Sequence, residues 1–234
     1  MTRRRRSVLA GGLIAIVVTL ISVSLADEWA YPEPVSFHSR GFSYVAEIFP
    51  PKSRQNPTDK PLCYVYEMAY PGVGWDAKST LKWKANLANG TMPYEAVLSM
   101  NGDLVTLNDY GKLGYENAVV IYNHDGRLVR SYSFDDLGLA AEIARIDQST
   151  SSRWWNKTAR YYFVAQDFYV VLSWGKVLKF SLGDGAMSSG VAKDFAELSQ
   201  ATRNAYANEE VGVWRTSLRF ASITDVKAAG GAAH

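Results

Sequence analysis

Three histidines and one cysteine are the residues with which this 234-residue chain could do metal or nucleophilic chemistry. His38 lies in a proline-bearing stretch, His124 in a turn and His234 at the chain end, and no HExxH or HxH pairing brings two of them together, so a zinc site is unsupported. Cys63 sits in the apolar run LCYVYEMAY with no histidine near it in sequence, and it reads as a buried small hydrophobe. Neither GxSxG nor GxxxxGK[ST] occurs, and Gly183-Asp184-Gly185 reads as a turn and not as part of a calcium loop. No cofactor is expected. Carboxylates remain: Asp103, Asp109, Glu116, Asp125, Asp135 and Asp136 lie in or near the loops of one stretch. Two carboxyls at the right separation serve a glycoside hydrolase as acid and base or nucleophile. Aspartates in turns also bond their own backbone, and that is the preferred reading, so no catalytic residue is assigned.

Aromatic residues carry more. There are seven Trp and 14 Tyr. Trp154 and Trp155 follow Arg153 in a polar stretch leading into a strand, and adjacent strand residues point to opposite faces, so one ring is expected inside. The other is a candidate platform for a sugar ring or a partner protein, with Arg153 beside it. Trp29 and Tyr31 stand a few residues after a long apolar run and suit a membrane-interface belt.

That run is Val8–Leu25, uncharged throughout, and its 18 residues would rise about 27 Å as a helix, near the thickness of a bilayer's hydrocarbon core. Arg3 to Arg6 precede it and Asp27 with Glu28 follow, which orients the N-terminus to the cytoplasm and the body outward. Ser24-Leu25-Ala26 has the small residues of a signal-peptidase site, but the run exceeds the usual signal core of roughly 7–15 residues. A retained anchor is the preferred reading, and a cleaved signal the alternative. The protein is expected on the periplasmic side, anchored to the inner membrane or secreted. Without those four arginines the chain carries 21 basic and 23 acidic residues, so its body is mildly acidic and offers no footprint for nucleic acid. A composition of 47% hydrophobic and 21% charged residues excludes a disordered chain.

The organisation follows: residues 1–26 a signal-anchor or signal peptide, 27–39 a linker, 40–226 a β-rich domain, and 227–234 a frayed tail. Alternating apolar and polar residues write strands through GFSYVAEIF, PLCYVYEMAY and TLKWKANL. Asn101-Gly102 and Asp125-Gly126 each sit between apolar runs as hairpin turns, so residues 94–133 hold four strands. Leu137, Leu139, Ala140, Ile143 and Ala144 predict a short helix after Asp135 or Asp136, and residues 191–207 have the spacing of a second. RYYFVAQDFYVVLSWGKVLKFSL predicts three more strands, and VGVWRTSLRFASITDV is read as strand.

The unit at 94–133, with its NGDLV and DGRLV turns, resembles one blade of a β-propeller of the NHL or YVTN type, with weaker echoes at 40–85 and 160–182. The resemblance implies an antiparallel meander and no activity; beyond it, the chain is similar in general character to exported bacterial β proteins. Ten or eleven strands do not make the sixteen of the smallest closed propeller, so a two-layer β stack with one or two short helices is expected. The expected role is binding: a non-catalytic accessory module, anchored in the membrane by Val8–Leu25, docking on a membrane protein assembly or on a surface polymer. The alternative is a secreted hydrolase or lactonase-like enzyme working through loop carboxylates.

Overall fold

The computed structural model describes residues 29–53, 58–69 and 78–191, and the backbone of 210–211 and 215–217. Val8–Leu25 and most of the helix expected at 191–207 lie outside the described residues. Among the described residues no helix is long and apolar enough to cross a membrane.

The protein is mainly β, built from antiparallel sheets. Sheet 1 runs β1 (Val35–His38), β2 (Tyr44–Phe49), β3 (Leu62–Ala69) and β4 (Lys78–Asn86) in chain order. Sheet 2 follows as β5 (Pro93–Leu98), β6 (Leu104–Asp109), β7 (Val119–Tyr122) and β8 (Leu128–Tyr132), which is the four-strand unit expected at 94–133. Sheet 3 is β9 (Arg160–Val164), β10 (Asp167–Val171), β11 (Lys176–Ser181) and β12 (Met187–Val191). The expected two layers are therefore three sheets, because the stretches on either side of 94–133 each fold into a meander of their own.

Sheet 2 lies between the other two. Every residue of β6 and β7 is buried, as happens when both faces of a strand are covered. The pleat divides them by alternation. Val97, Val105, Leu107, Val119 and Ile121 pack with Tyr161, Phe163, Phe168, Val170, Leu178 and Phe180 of sheet 3. Ala96, Leu98, Leu104, Val120 and Tyr122 pack with Val35, Phe37, Ala46, Ile48, Cys63, Val65 and Trp83 of sheet 1. Cys63 is fully buried, and burial pushes its thiol well above the ordinary range, so it stays protonated and unreactive.

The β5–β6 and β7–β8 hairpins close as three-residue loops. Gly102 (φ +88°) and Gly126 (φ +77°) take the left-handed position, while Asn101 and Asp125 do not. Ser99 Oγ accepts the amides of Asn101 and Asp103, and Asn123 Oδ1 those of Asp125 and Arg127, so the sequence repeat is a repeat of turn chemistry.

The helix expected after Asp135 or Asp136 is instead a pair of 3-10 turns, Asp135–Leu137 and Ala140–Arg145. Gly138 at φ +65° ends the first. Leu137 and Leu139 are both buried although two residues apart, which a straight α-helix cannot place on one stripe, while Ala140 and Ala144 face solvent. The stretch assigned to a linker also contains β1: Pro32 and Pro34 precede that strand, where no ladder N–H is demanded of them. Near the C-terminus, β13 (Glu210–Val211) pairs with β9 and β14 (Arg215–Ser217) with β1, so one short segment joins the first strands of sheets 3 and 1. Both inner edges are thereby paired.

Candidate functional site

The outer face of sheet 1 holds a groove of about 800 Å³. Its floor follows from register. Glu47 lies opposite Tyr64, Phe49 opposite Leu62, and Val45 opposite Tyr66, while β3 sets Leu62 opposite Asn86 and Tyr64 opposite Lys84 on β4. Ala46, Ile48, Cys63 and Val65, at the alternate positions, are buried against sheet 2, so this other set points outward. Pro34, before β1, Pro50-Pro51 and Lys52, after β2, and Thr58 to Lys60 complete the lining.

The floor is aromatic and acidic. Phe49 meets Tyr64 edge-on at 5.8 Å, and the Tyr64 and Tyr66 rings lie 6.4 Å apart and 15° from parallel. Glu47 is half-buried, and burial alone raises its carboxyl above the usual carboxylate range. Among the described residues it has no hydrogen-bond or ion-pair partner. The Tyr66 hydroxyl is raised by burial first and by the Glu47 charge second. Lys60 turns its ammonium to the carbonyls of Ala88 (3.1 Å) and Asn89 (3.5 Å) and so does not answer Glu47.

A second feature lies at the same end of the sheets. Trp29 contacts Tyr110 at 4.9 Å, Tyr94 at 6.0 Å and Trp154 at 6.0 Å, the last nearly parallel, and Tyr94 meets Trp154 edge-on. Trp29, singled out for a membrane belt, and Trp154, singled out as a platform, thus meet in one cluster. Tyr31, 37% exposed, donates its hydroxyl to the Pro51 carbonyl and ties the cluster's chain to the groove wall. Trp155 is 1% exposed and donates Nε1 to Asn108 Oδ1 at 2.7 Å, so of the pair only the half-buried Trp154 can meet a ligand. Arg153 is held between the rings of Tyr115 (4.8 Å) and Phe134 (4.9 Å).

The loop carboxylates do not form one cluster, although Asp103 and Asp125 both approach His124. Asp103 and Asp109 flank β6 from opposite ends, about 20 Å apart along the strand, twice the separation an acid–base pair tolerates. Asp109 is enclosed by Asn89, Asn117 and the Gly90 amide, and burial raises its carboxyl despite those donors. Asp103 accepts the Ser99 hydroxyl, and exposed His124 stands between it (3.6 Å) and Asp125 (3.8 Å) as a turn-surface contact. Asp136 accepts the amide and hydroxyl of Ser133, while Glu116 and Asp135 face solvent. Among the described residues no group of three or more His, Cys, Asp or Glu could hold a metal ion.

His38, at the end of β1 and in contact with Phe42, has a buried Nδ1 without a hydrogen-bond partner among the described residues, and burial lowers its pKa from 6.5. The unfolded chain therefore takes up this proton first, and the histidine's contribution to stability is lost as pH falls below 6.5. Denaturant midpoints at pH 7.5 and 5.5 should differ less in His38→Gln than in the unaltered protein. An equal difference in both would show that His38 plays no part.

Glu47, Tyr64 and Tyr66 were missed in the sequence. Their alternation is visible there, but the face that turns outward depends on which partner strand covers the other.

No family model, no curated protein and no solved structure matches the chain.

Proposed function

We propose that this chain is a non-catalytic binding module, held at the outer surface of a membrane by Val8–Leu25, that docks a partner in the groove of sheet 1. The observation that carries the reading is Glu47: a half-buried carboxylate with no ion-pair partner among the described residues, beside two near-parallel tyrosine rings. Such a group costs the isolated fold free energy and is repaid by a ligand. Only Ala26, Asp27 and Glu28 separate the apolar run from Trp29, at most about 14 Å of extended chain. On this reading the Trp29–Trp154 cluster lies beside the bilayer, where aromatic rings settle, and the groove mouth is within reach of a membrane-embedded assembly. The same reading takes the three meanders as blade-like units, the plan that 94–133 resembles. The rival hydrolase reading has little geometric support, since Asp103 and Asp109 stand too far apart.

The test is site-specific photo-crosslinking in native membranes. A photoreactive residue at position 66 should give an adduct of defined mass, and one at exposed Ser189 on sheet 3 should not. Equal labelling at both positions, or none at 66, would sink the proposal.

A further inference from the structure

Building on the binding role of the groove, we infer that its ligand is the guanidinium or ammonium group of a basic segment on a partner polypeptide, seated against Glu47 and over the Tyr64 and Tyr66 rings. Three observations converge on a cation. The first is charge: Glu47 has no ion pair among the described residues. Of the nearby lysines, Lys52 lines the groove but makes no ion pair with Glu47, Lys60 is turned to backbone carbonyls, and Lys84 stands two strands from Glu47, beyond Tyr64. The second is the rings. The face of a tyrosine attracts a cation within about 6 Å of its centroid. Tyr64 lies directly across from Glu47, and Tyr66 projects from the same face two residues on, so a cation over them is also within reach of the carboxylate. The third is burial, since a charge pair formed where water is thinned is stronger than one on open surface.

A polypeptide is favoured over a small free cation by the size and lining of the groove. Its volume of about 800 Å³ is far more than one ammonium fills. Pro34, Pro50, Pro51, Phe49 and Leu62 offer apolar surface for the methylene stem of a lysine or arginine and for the residues beside it. A neutral glycan could stack on the rings and donate hydroxyls to Glu47 but would leave its charge unneutralised, and an anionic polymer would be repelled by it.

The experiment uses the full chain in detergent and an acetylated, amidated tri-arginine peptide. The control is the same peptide with citrulline, which keeps the shape and loses the charge. Arginine should bind at least about tenfold more tightly than citrulline. Glu47→Gln should weaken the arginine peptide about tenfold and erase that preference, while Tyr66→Leu, on the neighbouring strand, should weaken it several-fold. Equal binding of the two peptides, no binding to the unaltered protein, or an unaffected Glu47→Gln protein overturns the inference. Spermine outcompeting the peptide would make the ligand a free polyamine, and this too overturns it. A neutral hexasaccharide that binds through Tyr66 and ignores Glu47 would overturn the cation while leaving the binding role intact. Loss of that role shows separately, as absence of the crosslink at position 66.

Discussion

Asn108→Ala should lower the stability of the fold by about 3–5 kcal/mol, read from the denaturant midpoint. Asn108 is fully buried at the end of β6 and is bonded at both ends of its amide. Its Oδ1 accepts the Gly114 amide at 2.9 Å and Trp155 Nε1 at 2.7 Å, and its Nδ2 donates to Asn156 Oδ1 at 2.9 Å. The chain of bonds continues through Asn156 Nδ2 to Glu95 Oε2 at 3.0 Å and to the Tyr161 hydroxyl, which itself donates to Glu95 at 2.8 Å. One side chain therefore joins sheet 2, the loop bearing the tryptophan pair and sheet 3. Alanine leaves two buried donors and an acceptor unpaired, and each such group costs about 1–3 kcal/mol. It also places a Cβ-bearing residue without a local hydrogen bond at φ +60°. Asn108→Gly loses the same bonds but relieves the backbone, so it should be less damaging than alanine by about 1 kcal/mol. A loss below about 1 kcal/mol for Asn108→Ala would mean that the network does not hold the sheets together.

Three glycine substitutions separate backbone strain from collision. Gly114, Gly126 and Gly138 have φ of +70°, +77° and +65°, so alanine pays a similar penalty of about 1–2 kcal/mol at each. Their surroundings differ. A Cβ on Gly138 meets nothing within 4 Å, whereas on Gly114 it would stand 2.6 Å from the Arg153 carbonyl oxygen. On Gly126 it would stand 2.6 Å from the six-membered ring of Trp83. The oxygen is backbone and the ring is buried, so neither moves freely, and collision should add roughly 1–3 kcal/mol. Gly138→Ala should thus be mild, and Gly114→Ala and Gly126→Ala severe. Equal melting temperatures for all three variants would refute the contact argument.

Gly126 also marks how far local sequence reaches. That a turn lies at Asp125-Gly126 is a local matter, because a left-handed residue is needed there and glycine supplies it cheaply. That the glycine must also admit Trp83, 43 positions away, is decided by the packing of sheet 2 on sheet 1. The failure of the helix expected after Asp135 or Asp136 has a similar cause. Its apolar residues were counted as one stripe, but Gly138 breaks the period and sheet 3 draws Leu137 and Leu139 in together.

Most strands and the hairpin turns were legible in the sequence alone, because alternation and left-handed glycines act over two to five residues, whereas β1 and β12, in stretches without that alternation, were not. An outward-facing body and a spanning segment are expectations of the same local kind, resting on charge flanking an apolar run. Which faces are covered was decided only by the tertiary structure. VVIY is buried on both sides because sheets 1 and 3 both reach it, and no local pattern counts the sheets. The groove arises the same way, since Glu47 and Tyr64 become neighbours only through the β2–β3 register. The meeting of Trp29 with Trp154 spans still more of the chain. Side chains that approach one another across long loops are chosen by the burial free energy of whole sheets, and that quantity has no local signature.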